Sequence, residues 1–244
     1  MNKTSQYKFT IIVPFYNERD NILNLEKKLN SFIRDSATIP TCVLFVNDGS
    51  NDGGDELAKE VCGRNDGFFY LELKNNSGLS GALKAGIDNC ESELIGYIDA
   101  DLQTDPEDFN LLLKEIDDFS LIIGIRTERK DTFVKKASSL IANGFRKMMT
   151  KDGVSDTGCP LKVMHTSYAK KVPFFSGMHR FLPALFLMIG GNIKQVPVRH
   201  YPRTAGKAKY NLFNRLVGPL KDCFAFRWMK KRYINYEINN TTLY

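Results

Sequence analysis

The sequence predicts an α/β domain built on a mostly parallel sheet that is flanked by helices. Short β-branched apolar runs alternate with segments of helical periodicity at intervals of about 25–30 residues, as in successive βαβ units. Polar clusters follow several of the predicted strands directly, and such sheets bind ligands beyond the carboxyl ends of their strands. These observations predict both a fold class and the edge of the sheet where a site should lie.

The first half of the chain gives the clearest pattern. Residues 8–13 form a β-branched run that ends at Pro14, and Ile22, Leu25 and Leu29 recur at helical spacing in a helix that reaches about Asp35. The next elements follow the same alternation: strands at 42–46, 68–73 and 94–98, and helices at 55–62 and from the loop at 75–81 to about 89.

The second half is less regular. We expect a strand at 121–124, a helix at 133–149, a strand at 193–201 and a long basic amphipathic helix at 212–233. The apolar segment 181–189 is either core or an interfacial helix. The prediction is therefore one domain over 1–211, followed by a C-terminal basic helical extension over 212–244 that can contact a membrane surface.

Composition narrows the class of protein. The 244 residues are 43% hydrophobic and 25% charged, which excludes disordered and collagen-like chains. Five cysteines without a CxxC pair argue against a disulfide framework and a structural zinc site. The N-terminal apolar run is too short for a signal peptide, and no apolar run is long enough to span a bilayer. We expect a protein of the reducing cytoplasm.

The positive charge is concentrated near the C-terminus. The formal net charge is +6, and residues 199–232 hold ten Lys or Arg against one acidic residue, Asp222. Such an excess indicates an anionic partner, either a phosphate, a membrane surface or a nucleic acid. A solvated helix face explains the same charges without any partner.

The strongest local motif is the acidic pair Asp99 and Asp101, which follows a predicted strand. Two carboxylates two residues apart can bind one hard cation such as Mg²⁺ or Mn²⁺, and this cation can also bind phosphate oxygens. Acid pairs at strand ends are also common as solvated residues. Asp48 ends the second strand and can accept hydrogen bonds from a base or ribose, although its NDGS segment also suits a plain turn.

The loop after the first strand carries Tyr16, whose ring can stack on a base, and Glu18. Ordinary packing explains Tyr16 equally well, and Glu18 can be an acid in the first turn of a helix. No GxGxxG follows the first strand and no GxxxxGK[ST] occurs in the sequence. The fingerprints of dinucleotide-binding and P-loop proteins are therefore missing.

Four segments together resemble the family 2 glycosyltransferases with the GT-A fold: IIVPFYNERDNI, FVNDGSNDGG, NNSGLSGALKAG and YIDADLQTDPED. Further segments resemble the bacterial branch of the polyprenyl- and dolichyl-phosphate sugar synthases: YPRTAGKAKYN, SDTGCPLKV, GMHRFLPAL and FAFRWMKKRYINYE. The resemblance covers nearly the whole chain. It implies a GT-A catalytic domain over 1–211 and a metal-dependent inverting hexosyltransferase.

The resemblance also implies roles for individual residues. The residues implied in nucleotide-sugar binding are Pro14, Tyr16, Glu18, Val46, Asp48, Asp99, Ala100 and Gln103. Those implied at a Mg²⁺ or Mn²⁺ ion are Asp99, Asp101 and Gln103. Those implied at the acceptor phosphate and the diphosphate are Arg126, Arg203 and Lys209. The implied catalytic residues are Asp101, Asp156 and Arg126.

The implied reaction transfers a sugar from a nucleotide sugar, with a UDP-sugar favoured, to polyprenyl (undecaprenyl) phosphate with inversion. The product would be a lipid-linked sugar donor for cell-envelope glycan or lipid A modification. A GDP-mannose donor and a glycan acceptor are the alternatives, and a nucleic-acid-binding protein that uses the basic helix is a third hypothesis. We expect peripheral association with the cytoplasmic face of the inner membrane and no nucleic-acid partner. The identity of the sugar, and a homo-oligomer or an integral membrane partner, stay open.

Overall fold

A computed structural model describes residues 2–126, 144–202, 212–236 and 239–240. These residues form a seven-stranded sheet of order β3-β2-β1-β4-β6-β5-β7. The strands, in chain order, are β1 (Phe9–Phe15), β2 (Thr41–Asn47), β3 (Phe68–Glu72), β4 (Leu94–Tyr97), β5 (Leu121–Arg126), β6 (Lys162–His165) and β7 (Ile193–Val198). Every pairing is parallel except those of β6, which runs antiparallel to β4 and β5. The predicted fold class is confirmed.

Helices cover both faces of the sheet. They are α1 (Arg19–Ser31), α2 (Gly54–Arg64), α3 (Gly78–Asp88), α4 (Phe109–Leu113), α5 (144–150), α6 (Thr166–Ala169), α7 (Leu182–Met188) and α8 (Leu212–Arg232). Most of the predicted helix at 133–149 lies outside the described residues, and only its end is seen in α5. The helix predicted to reach Asp35 stops at Ser31 as an α-helix and continues as a π-helical turn over Phe32–Ser36.

Alternating strand residues supply two cores, one on each face of the sheet. In β1, Phe9, Ile11 and Val13 join the core under α1 and α2, whereas Ile12 joins the core under α3, α7 and α8. The segment 181–189 belongs to the second core, since Phe181 to Phe186 are buried there. The core interpretation of this segment is therefore confirmed and the interfacial one is wrong.

Two features depart from the sequence-based expectation. Strand β6 is not predicted, and β7 ends at Val198 instead of 201. After β7 the backbone N–H groups bond outside the ladder: that of Arg199 donates to Asp108 Oδ2 at 2.8 Å and that of Tyr201 to the carbonyl of Gln103 at 2.9 Å. Within the described ranges, none of the helices combines the length and the apolar character needed to cross a bilayer.

Candidate active site

The carboxyl ends of β1, β2 and β4 lie side by side, so the loops that follow them share one edge of the sheet. The loops after β1 and β2 are joined by two hydrogen bonds: Asn17 N donates to Ser50 Oγ at 3.0 Å, and Asn51 N donates to Asn17 Oδ1 at 2.9 Å. Asn17 adopts φ +50°, a left-handed conformation that asparagine tolerates. The predicted nucleotide-binding residues lie at the ends of these two strands (Pro14 and Val46) and on the loops that follow them (Tyr16, Glu18 and Asp48), so they belong to one edge.

Asp48 has a structural task at this edge. Its side chain is buried, and Oδ1 accepts the backbone N–H of Ser77 at 2.7 Å, at the start of α3. Burial raises the pKa of Asp48, and the N–H groups of Ser77 and Gly78 oppose that rise. The carboxylate thus fixes the 75–78 loop beside the predicted nucleoside site, and its contact with a nucleoside stays a prediction.

The acidic pair follows β4 in a strained turn. Asp101 Oδ1 accepts the backbone N–H of Gln103 at 3.2 Å, and Leu102 between them adopts φ +58° while its side chain is buried. A bulky residue with positive φ is uncommon and costs of the order of 1–3 kcal/mol, so the surrounding packing must hold this turn. Such strain concentrates at functional sites.

The pair is suited to a divalent cation. Burial, followed by the neighbouring charge of Asp101, raises the pKa of Asp99 to about 6, although Tyr97, Lys162 and Arg126 favour its ionised form. The hydroxyl of Tyr97 donates to Asp99 Oδ1 at 2.5 Å. A bound cation would relieve the repulsion between the two carboxylates.

Among the described residues no cluster of three or more His, Cys, Asp or Glu side chains could hold a metal ion. A cation on Asp99 and Asp101 would therefore take its other ligands from Gln103, from water and from substrate phosphates. Mg²⁺ in particular is commonly bound through one or two carboxylates together with waters and phosphates. The donor set of this turn fits the predicted metal.

Arg126 and Asp156 form a bidentate ion pair, although 30 residues separate them in the chain. Arg126 Nε and Nη2 donate to the Asp156 carboxylate at 2.7 and 2.8 Å, and both side chains are largely buried. Burial opposes the charge of Arg126, but the hydrogen bond and charge of Asp156 raise its pKa. The field of Asp99 also acts on Arg126, so the structure brings this pair close to the acidic turn.

The other two predicted cations, Arg203 and Lys209, lie outside the described residues. The chain enters that segment beside the acidic turn, since Tyr201 N bonds the carbonyl of Gln103. Ala100 is buried within the same turn.

Sequence reasoning missed Lys162. This residue is buried in β6, and its ammonium group donates to the carbonyl of Cys159 and lies 5.4 Å from the ring centre of Tyr97. Because β6 was not predicted, the sequence offered no reason to place this single lysine in the interior of the sheet.

Comparison with known proteins agrees with the family resemblance found in the sequence. The family model described as glycosyl transferase family 2 matches residues 10–173. The dodecaprenyl-phosphate galacturonate synthase of Rhizobium johnstonii is 31% identical over 213 residues, which cover 84% of this chain and 62% of that protein. The undecaprenyl-phosphate 4-deoxy-4-formamido-L-arabinose transferase of Edwardsiella ictaluri is 30% identical over 230 residues, 90% of this chain and 67% of that protein. The chain thus spans about two thirds of the length of these relatives.

Solved structures support the fold. Glucosyl-3-phosphoglycerate synthase from Mycobacterium tuberculosis, in complex with Mn²⁺, UDP and glucosyl-3-phosphoglycerate, superposes with a TM-score of 0.69 at 13% identity and covers 96% of this chain and 84% of that one. Mannosyl-3-phosphoglycerate synthase from Rubrobacter xylanophilus gives 0.69 at 14% identity, with 97% and 79% covered. These likenesses confirm the predicted GT-A fold, and the two relatives confirm the resemblance to bacterial polyprenyl-phosphate sugar enzymes. The chain belongs to glycosyl transferase family 2.

Proposed function

We propose that this protein transfers a sugar from a nucleotide sugar to the phosphate of a polyprenyl phosphate, with undecaprenyl as the lipid. The observation that carries the proposal is the meeting of an acidic pair suited to a cation, Asp99 and Asp101, with the largely buried cation Arg126 at one sheet edge. The two relatives are both named for polyprenyl-phosphate acceptors, which supports the choice of acceptor class.

The chemistry of this acceptor fits the charges of the site. A phosphate monoester has a second pKa near 6, so much of it is a dianion at neutral pH and needs no strong general base. The protein must instead overcome repulsion between the dianion and the donor diphosphate. Arg126, oriented by Asp156, would supply part of this attraction, and Arg203 and Lys209 the rest. In-line displacement at the anomeric carbon inverts its configuration.

Asp99, Asp101 and Gln103 would hold Mg²⁺ or Mn²⁺, which would neutralise charge on the leaving diphosphate. Mn²⁺ and UDP occur together in the complex of the solved neighbour, which supports both a divalent cation and a uridine nucleotide. The nucleotide would bind at the edge that carries Pro14, Tyr16, Glu18, Val46, Asp48 and Ala100. GDP-mannose is the second candidate donor. The product would serve envelope glycan synthesis or lipid A modification.

A glycan acceptor is the second candidate function. The cations at 199–232 argue against it, because a neutral glycan gives no reason for clustered positive charge.

Contact with the cytoplasmic face of a membrane completes the proposal. On α8, Cys223 and Phe226 are buried in the second core, whereas Leu220, Phe224 and Trp228 are exposed by 40%, 62% and 64%. These three lie four residues apart and form one outward apolar stripe. Exposed cations surround it: Lys221, Arg227, Lys230, Lys231 and Arg232. An exposed apolar stripe among cations is typical of helices that lie in an anionic headgroup layer.

Trp228 is the single tryptophan of the sequence, so its fluorescence reports on this stripe alone. We expect a blue shift with phosphatidylglycerol-containing vesicles and a weaker one with pure phosphatidylcholine. Phe224→Ser should weaken vesicle binding, whereas Leu23→Ser, at an equally apolar exposed position on α1, should not. An unchanged Trp228 spectrum with both vesicle types would contradict membrane contact.

The reaction is tested by a transfer assay with Mg²⁺ or Mn²⁺, a short-chain polyprenyl phosphate and a panel of radiolabelled UDP- and GDP-sugars. We expect label from one donor in the organic phase. Hydrolysis of the donor without labelled lipid would favour the glycan acceptor, and absence of any reaction would contradict the proposed function. Arg203→Ala should raise the KM for the lipid much more than the Kd for the nucleotide.

A further inference from the structure

We propose that Lys162 is a positioning residue that fixes the Arg126–Asp156 pair relative to the acidic turn at Asp99. This inference rests on the proposed function and goes beyond it, because it assigns a task to a buried side chain that is not among the predicted site residues. The juxtaposition that carries it is a buried ammonium group between two halves of the site. The proposed donor half is the edge formed by β1, β2 and β4 with the acidic turn, and the proposed acceptor half is the Arg126–Asp156 pair.

The burial of Lys162 needs an explanation. Its side chain is 1% exposed, and among the described residues it is the one lysine in the interior. A buried charge costs several kcal/mol of desolvation, which only well-placed hydrogen bonds and opposite charges can offset. Burial lowers the pKa of Lys162, although the neighbouring anions favour its charged form. Core packing alone therefore gives no reason for a charged side chain at this position.

On one side, Lys162 contacts the strand that carries the acidic turn. It pairs with Tyr97 in the antiparallel register of β4 and β6, and its Nζ lies 5.4 Å from the centre of the Tyr97 ring. The Tyr97 hydroxyl donates to Asp99 Oδ1 at 2.5 Å. Tyr97 is thus held between the ammonium group and the carboxylate.

On the other side, Lys162 holds the 156–160 loop. Its Nζ donates to the backbone carbonyl of Cys159. This loop carries Asp156, and it packs so closely on the guanidinium that a Cβ atom at Gly158 would lie 3.0 Å from Arg126 Nη2. The attachment of Cys159 therefore restrains the partner of Arg126.

The charges agree with this arrangement. Lys162 is attracted by both Asp99 and Asp156 and is repelled by Arg126. One ammonium group thus interacts with an anion of the donor half and with an anion of the acceptor half. Its loss would leave each half intact but free to shift relative to the other.

Such a shift affects turnover more than binding. A misplacement of about 1 Å between reacting groups can cost about 100-fold in rate. The nucleoside of the donor would still bind the loops after β1 and β2, since none of their described contacts passes through Lys162.

The experiment compares Lys162→Met, which keeps length and apolar volume, with Lys162→Arg, which keeps the charge. Lys170→Met, at an exposed position just after α6, is the matched control. For Lys162→Met we expect a lower Tm, because Asp99 and Asp156 lose a neighbouring cation, an unchanged Kd for UDP measured without metal, and a kcat lowered about 10- to 100-fold. Lys162→Arg should recover part of kcat, and Lys170→Met should match the wild type.

Amide hydrogen exchange gives a readout that needs no activity. The amides of 156–159 should exchange faster in Lys162→Met than in the wild type, whereas those of β1 and β2 should not change. If Lys162→Met does not fold, Lys162→Gln keeps a donor for the Cys159 carbonyl and should show the same loss of kcat to a smaller degree.

The outcomes separate the two proposals. A kcat within about twofold of the wild type together with unchanged exchange would overturn the role of Lys162. A parallel loss of Tm, UDP binding and kcat would also overturn it, because that pattern describes a purely structural residue. If the wild type transfers no sugar, the proposed function fails, and the exchange data still decide whether Lys162 fixes the loop.

Discussion

The two halves of the candidate site are built in different ways. The proposed donor half takes its residues from the ends of β1, β2 and β4, which are parallel neighbours in the sheet. The proposed acceptor half depends on β5, on the antiparallel β6 and on the Arg126–Asp156 pair, which joins residues 30 positions apart. Parallel topology brings successive strand ends to one edge, whereas the second arrangement requires specific long-range contacts.

The acidic turn gives the largest expected effect. Asp101→Asn removes one of two carboxylates proposed to hold the metal ion, which is worth several kcal/mol of transition-state stabilisation, so metal-dependent turnover should fall about 1000-fold. The unfolding midpoint in urea should stay near that of the wild type. Asp117→Asn, at an exposed position, serves as the control. Full chelator-sensitive activity in Asp101→Asn would remove the acidic turn from the mechanism.

The acceptor half should respond in stability as well as in rate. Arg126→Ala leaves the largely buried Asp156 carboxylate without its bidentate partner, which should lower the free energy of unfolding by about 3 kcal/mol. Turnover with the lipid phosphate should fall as well. Urea unfolding and the transfer assay measure the two effects separately.

Two further variants sharpen this prediction. The double change of Arg126 and Asp156 to alanine should regain stability but no activity. Arg126→Lys should not restore activity, because an ammonium group cannot reproduce the planar bidentate pairing of the guanidinium with a carboxylate. Equal stability of the single and double variants would contradict the buried-charge argument.

A substitution at the tightly packed Gly96 of β4 should have an intermediate effect on stability. A Cβ at Gly96 would lie 2.4 Å from Phe9 Cζ and 2.9 Å from Phe109 Cε1, so Gly96→Ala should lower the free energy of unfolding by about 1–3 kcal/mol. Gly63→Ala is the matched control, because a Cβ there has no neighbour within 4 Å and lies in α2. That change should stabilise by up to about 1 kcal/mol. Equal thermal midpoints for the two variants would contradict tight packing under β4.

At neutral pH the smallest expected effect is that of His179, next to α3, whose influence on stability develops only as the pH falls. Burial, followed by the charges of Arg180 and Lys162, lowers the pKa of His179 to about 3 from 6.5. Between these values the unfolded chain binds a proton that the folded chain does not, so this contribution to stability is complete above pH 6.5 and declines as the pH falls toward 3.

His179→Gln keeps a hydrogen-bonding group near Ser80 Oγ, which lies 2.9 Å from His179 Nδ1. In urea unfolding measured across this pH range, the free energy of unfolding should depend less on pH in this variant than in the wild type. If the free energy of unfolding depends on pH equally in the wild type and in His179→Gln, the titrating group is not His179.

Strand β6 shows where sequence reasoning stops. Its four residues include Lys162, and a lysine inside so short a run argues against a buried strand on pattern alone. The lysine is tolerated because Cys159, Tyr97 and the neighbouring anions meet it in space. The position of β6 between β4 and β5 could not be inferred from the sequence either, since the insertion of an antiparallel strand leaves no periodic signal.

The sequence by itself determined the α/β class, the family resemblance and the acidic turn at the end of β4. Hydrophobic periodicity and strand-end position are local properties, so they can be recognised without coordinates. Only the tertiary structure decided that Asp156 binds Arg126, that Asp48 anchors α3, that 181–189 is core and that the apolar stripe of α8 faces outward. Each of these depends on which distant groups meet and which side of an element is covered, and burial and pairing are properties of the packed chain alone.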